Sequence, residues 1–162
     1  MVFGSDTTPE TIKAIYILQM QKFVTVGQSP RLPKHFCYYE RHGVPFNESV
    51  GQQIEMYVRT HPDGNSPSVT RFEAIRDPSG CDLFYIPAEE EDYIDNIISA
   101  LGTSSTLTIS SAQRFILRGG MVGFVVDDDS RVKMEANLAN ARNKHVHIDA
   151  SLLEIMLRVI DQ

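Results

Sequence analysis

Several groups of residues in this 162-residue chain are of types that do chemistry. His145-x-His147 would set two imidazoles on one side of an extended strand, as ligands of a metal must be. Zinc needs a third ligand and usually a fourth. No nearby cysteine or paired acid offers one, so two exposed polar histidines are the better reading. Glu89-Glu90-Glu91-Asp92 is a run of carboxylates. A calcium loop needs alternating oxygen ligands and a glycine at a set spacing, and neither is present. Acids at the start of a helix, by contrast, meet the positive end of its dipole. Gly119-Gly120-Met121-Val122-Gly123 is glycine-rich but leads into a strand. Phosphate-binding loops lead from a strand into a helix, and the spacing fits neither nucleotide fingerprint. Ser110 and Ser111 lie in no GxSxG turn, and no Cys-His-Asn pattern surrounds Cys37 or Cys81. Nothing assembles a nucleophile, a base and an orienting group. The residues therefore read as a non-catalytic domain with no cofactor and no metal.

The elements that must carry these residues follow from periodicity and punctuation. Thr8 can cap a first helix, with Pro9 and Glu10 in its first turn and Ile12, Ile15, Tyr16, Leu18, Gln19 and Phe23 along an apolar stripe. Gly27, Pro30 and Pro33 end it in a loop. Residues 35–39 read as a strand, 49–59 as a returning helix, and 69–75 and 81–86 as strands. The acidic run opens a helix whose buried face is Ile94, Ile97, Ile98 and Leu101, closed by Gly102. Residues 106–109 are a further strand, and Ser110-Ser111 caps a short turn or helix to Leu117. Residues 118–137 then form a hairpin. Its first strand, 121–126, is apolar on both faces, its second alternates, and an acidic turn joins them. A short helix over 137–143 and an extended piece around Val146 and Ile148 come next. Asp149 caps a final helix with Leu152, Leu153, Met156, Leu157 and Ile160 on its face. Strands alternating with helices mean crossovers. The expected fold is α/β: a mainly parallel sheet with helices on both faces and a C-terminal antiparallel hairpin at its edge. It is read as one domain over 1–162, with 1–8 as a flexible remainder.

Two cysteines alone fit either one disulfide or two buried thiols. Cys37 lies in the first expected strand and Cys81 opens the third. In a doubly wound sheet these strands are commonly neighbours, which places the α-carbons within the roughly 4.4–6.8 Å a bridge requires. A Cys37–Cys81 disulfide is predicted for an exported chain.

The net charge of -6 argues against a nucleic-acid surface and against docking on anionic lipid. No apolar run approaches the ~20 residues that span a bilayer, so no direct membrane insertion is expected. No signal segment is visible, so the chain is either cytosolic or has lost an export signal.

The segments above, in their order and spacing, resemble the YfiR-like family of bacterial periplasmic proteins over about Ile12 to Ile160. The anchors are Lys22-Phe23-Val24; Phe36-Cys37-Tyr38-Tyr39 followed by Pro45-Phe46; Cys81 through Ile86; and Thr108-Ile109-Ser110. The most specific piece is Arg118-Gly119-Gly120-Met121-Val122-Gly123-Phe124, with Val132 through Leu138 and its Asn137 after it. Ile148 and Ser151-Leu152-Leu153 close the pattern. The chain departs from the family at Val26-Gly27, where a tryptophan-proline is common, and at Ser111, where an aspartate is usual. A second cysteine pair found in some members is absent. The resemblance implies a dimeric α/β sandwich in the periplasm with a regulatory role. It would repress a membrane-bound diguanylate cyclase by binding its periplasmic sensor domain, lowering cyclic di-GMP. An OmpA-like outer-membrane lipoprotein would relieve the repression. Arg118 and Met121, with Arg142, Lys144, Glu154 and Arg158 near the C-terminus, are the candidate partner contacts. The alternative is a small-ligand sensor domain with its pocket at the carboxyl ends of the strands.

Overall fold

The computed structural model describes residues 8–74, 76–78 and 80–162. The expectation of a flexible 1–8 therefore lies outside the described residues, except for Thr8. Thr8 caps α1 (Pro9–Met20), its hydroxyl accepting from the Thr11 amide, with Pro9 at the first position and Glu10 in the first turn. The buried face of α1 is Lys13, Ala14, Ile17 and Met20, not the expected stripe. Ile12, Tyr16 and Leu18 are only partly buried, and Phe23 is exposed. The helix is apolar around most of its circumference, so spacing alone does not select the face that docks.

The helix, expected to run to about Phe23, ends at Met20, and β1 (Val24–Val26) follows before Gly27, where no strand was expected. This strand pairs antiparallel with β8 (Val146–Ile148) as a separate two-stranded ribbon. Next come β2 (His35–Tyr39), α2 (Val50–Thr60), β3 (Ser68–Phe72) and β4 (Leu83–Ile86). Ser49 caps α2 by accepting from the Gln52 amide. Ile75, expected to end the third strand, lies outside the described residues. The acidic run forms a 3-10 segment, Ala88–Tyr93, before α3 (Ile94–Leu101), and Gly102 ends α3 at φ 55°. β5 (Leu107–Ser110) and a 3-10 turn (Phe115–Leu117) lead to β6 (Val122–Val126) and β7 (Val132–Asn137). After α4 (Leu138–Asn143) and β8, α5 (Ala150–Leu153) is followed by β9 (Arg158–Ile160).

The main sheet runs β3-β2-β4-β5-β6-β7-β9. From β3 through β6 the neighbours are parallel; β6 and β7 form the expected antiparallel hairpin. β9 pairs with β7, so the hairpin lies one strand in from the edge. This corrects the final helix: it stops after Leu153, and the Leu157 amide then donates to the Met134 carbonyl. A short apolar run fits a helix or a strand equally well, and here the open side of β7 decides.

Alternation along the central strands builds a core on each side. Phe36, Tyr38, Leu83, Tyr85, Leu107 and Ile109 pack with α1 and α2. Cys37, Tyr39, Phe84 and Ile86 face the other way, onto Ile94, Ile97 and Leu101 of α3. Both sheet faces are thus covered. The predicted disulfide joins Cys37 to Cys81 with α-carbons 5.9 Å apart, as β2 and β4 are neighbours. Among the described residues no helix is long and apolar enough to cross a membrane.

Candidate functional site

The carboxyl ends of β2, β4 and β5 meet the start of α1 and the N-cap of α2 around a cavity of about 270 Å³. Ligands of open α/β sheets sit in this position because the crossovers diverge there. Its polar wall is largely self-satisfied. Glu40, buried at the end of β2, accepts from Ser49 Oγ at 2.6 Å and Gln52 Nε2 at 3.0 Å, and lies 3.6 Å from Arg71 Nε. Glu90, from the acidic run, is buried and paired with Arg41 at 3.1 Å; Arg41 also stacks over the Tyr93 ring. Tyr85 Oη shares a 2.6 Å hydrogen bond with Ser111 Oγ, and burial pushes the Tyr85 phenol upward. Gly51 lets α2 lie against Tyr38, where a Cβ would fall 2.1 Å from the ring.

Lys13 is different. It is buried, lines the cavity, and forms no hydrogen bond or ion pair with any described residue. Burial pushes its ammonium below the ordinary lysine range, and the charges of Glu10 and Glu89 offset that in part. The sequence reading passed over Lys13, although Lys13, Ile17 and Met20 share a face at helical spacing.

The other candidate residues are dispersed. His145 and His147 are both exposed and belong to no set of three metal-ligating side chains among the described residues. One such set is His35, Cys37 and Cys81, but both sulfurs are spent in the disulfide, which leaves one ligand. The glycine-rich segment is structural in its placement. Gly119 has φ 97°, a left-handed conformation that favours glycine. At Gly120 the constraint is space: a Cβ would lie 2.2 Å from the Phe115 ring. Met121 is buried, with its amide donating to Thr108 Oγ1; a Cβ on Gly123 would meet Glu135 and Ile116. Arg118 donates to the Glu91 carbonyl. Asn137 caps α4 and donates to the carbonyls of Ile116 and Gln162 at 2.9 and 3.0 Å. These residues tie the start of β6 to the end of β7.

Two of the four C-terminal candidates, Glu154 and Arg158, lie in the exposed segment that leads into and forms β9. Interleaved with them is an apolar strip of Ile155, Leu157 and Val159, which are 67%, 60% and 40% exposed on and before the edge strand β9. Arg158 pairs with Glu135 at 3.5 Å. Arg142 is bound to Asp161, just after β9, at 2.6 Å, and Lys144 donates to the Gly102 carbonyl.

The YfiR/HmsC-like family matches residues 10–155. The chain belongs to that family. Its members are periplasmic regulators and in general non-catalytic, and they interact with a periplasmic sensor partner. No curated protein matches the YfiR/HmsC-like chain. Among solved structures it is similar to a conserved domain protein from Vibrio cholerae, at 10% identity and a TM-score of 0.66, covering 94% of this chain and 60% of that one. A second is an ABC domain in complex with L-Trp from Streptococcus pneumoniae, at 14% identity and a TM-score of 0.54, covering 96% and 60%. The chain thus spans about 60% of the length of each, and at such identities the likeness shows the fold alone.

Proposed function

We propose that this YfiR/HmsC-like chain works in the periplasm as a single domain that represses a membrane-bound diguanylate cyclase. It binds the cyclase's periplasmic sensor domain and holds it in its inactive state. Repression across a membrane requires tighter binding to one state of the sensor than to the other. Family membership supports this reading, and the observation that carries it is the β9 edge. An exposed apolar strip rimmed by charge, on a strand with one open side, is the form protein-binding surfaces take. A homodimer belongs to the same reading, as does release by an OmpA-like lipoprotein.

The test is binding of the purified chain to the isolated periplasmic sensor domains of the membrane diguanylate cyclases of the same genome. Association at micromolar concentration is expected. Leu157→Asp should weaken it at least tenfold, because a carboxylate in the centre of such a patch must be desolvated without a partner. No association of the wild-type chain would sink the proposal, and an unchanged affinity for Leu157→Asp would move the surface elsewhere.

A further inference from the structure

The cavity at the strand ends holds a charge that partner binding at β9 does not use. Lys13 is only 7% exposed, yet it has no contact counter-charge among the described residues. An ammonium held among buried groups is normally paired or hydrogen-bonded, since desolvation is costly; that of Lys13 is accessible only through the cavity it lines. The neighbouring groups are already engaged: Glu40 with Ser49, Gln52 and Arg71, Glu90 with Arg41, and Tyr85 with Ser111. Of the charged groups that remain, Lys13 is the one ammonium, and Glu10 and Glu89 act on it only through space.

We propose that this cavity binds a small organic monocarboxylate, its carboxylate meeting Lys13 Nζ and its apolar body lying against Tyr38, Val50 and Tyr85. Each feature of the site narrows the ligand. The volume of about 270 Å³ is just under the usual range of roughly 300–1,000 Å³ for ligand pockets, so the molecule is small. Glu10 and Glu89 also line the cavity and have no ion pair among the described residues. They repel polyanions, so nucleotides and other multiply charged phosphates are excluded. The position at the carboxyl ends of parallel strands is the one this sheet topology offers a ligand. The proposal does not depend on the repressor reading, and its test contains no partner protein.

The probes are sodium benzoate and sodium lactate at 10 mM, with inorganic phosphate at matched ionic strength as the control. Thermal melting and titration calorimetry are the readouts. For a Kd of about 1 mM, at least one carboxylate should raise the melting temperature by roughly 3–5 °C, and phosphate should not. Lys13→Met should lose that shift. Without ligand, Lys13→Met should also melt about 2–4 °C above the wild type, because methionine fills the same space without a partly desolvated charge. Lys13→Gln serves as a second variant. The proposal is overturned if neither carboxylate shifts the wild type, if phosphate binds as well, or if both variants keep the response. It also falls if both variants melt below the wild type without ligand, which would make Lys13 a structural group.

Discussion

Reducing the Cys37–Cys81 bridge is a perturbation whose magnitude follows from the chain itself. The two residues are 44 apart in sequence. Closing a loop of that length removes about 13 cal/mol/K of unfolded-state entropy in the chain-entropy model, or about 4 kcal/mol at 25 °C. Both residues are buried against α3, so the reduced thiols remain packed as small apolar groups and the folded state changes little. The assay is equilibrium urea unfolding with and without dithiothreitol. Reduction should lower the midpoint and also raise the m-value, since a released chain exposes more surface when it unfolds. For a chain of this size the same loss lowers the melting temperature by about 8–16 °C. Two outcomes would refute the reasoning. A loss under about 1 kcal/mol would mean that the unfolded chain is already compact across this loop. A large loss with an unchanged m-value would place the effect in the folded state.

Three further expectations rest on particular contacts. Gly120→Ala pushes a methyl into the Phe115 ring beneath β6 and should cost about 3 kcal/mol or prevent folding, read by urea denaturation; Gly43→Ala, with nothing within 4 Å, is the neutral control. Asn137→Ala should cost about 2 kcal/mol in the same assay, because it removes a cap and two buried donors while Asn140 still serves the Ile116 carbonyl. Burial pushes the Asp82 carboxyl up, but Arg31 and the Lys34 and His35 amides outweigh it and hold the group below the ordinary aspartate value. A depressed folded-state value gives stability that is complete above the unfolded value near pH ~4 and lost as pH falls through the folded one. Asp82→Asn should therefore melt lower at pH 7 and show a flatter melting profile below pH ~4; a parallel profile would remove Asp82 from the acid response.

Much of the fold was legible because its signals are local. Thr8 and Asp149 cap the helices that follow them, and each is a short polar residue just ahead of a helical stretch. The disulfide was legible one step further out, since strand adjacency in a wound sheet constrains which cysteines can meet. What failed were short segments whose structure is decided by a distant neighbour. β1 exists because β8 pairs with it from over a hundred residues away, and β9 exists because β7 has an open side. In both, three residues carry too little pattern to distinguish a strand from its surroundings. The acidic run was read only as a helix start, whereas its Glu90 turns inward to Arg41, 49 residues earlier.

Lys13 was illegible for a different reason. A lysine in a helix that is apolar nearly all round is ordinarily taken as a solubilising residue, and only the docked face shows that it is inside. Its environment is also built from segments running from Glu10 to Ser111, which meet only at the ends of three strands. The position has an energetic consequence that ties it to the disulfide. Lys13 lines the cavity on the α1 side of the sheet, and the bridge lies in the core under α3, on the opposite sheet face. Perturbations at separate sites with no shared partners usually add within about 0.5 kcal/mol. Lys13→Met and reduction should therefore shift stability in opposite directions and by the same amounts whether applied alone or together. A reduced Lys13→Met protein should melt about 2–4 °C above the reduced wild type. A non-additive result would mean that the two cores are coupled through the central strands. A ligand over Lys13 would then also be felt at the disulfide end of β2.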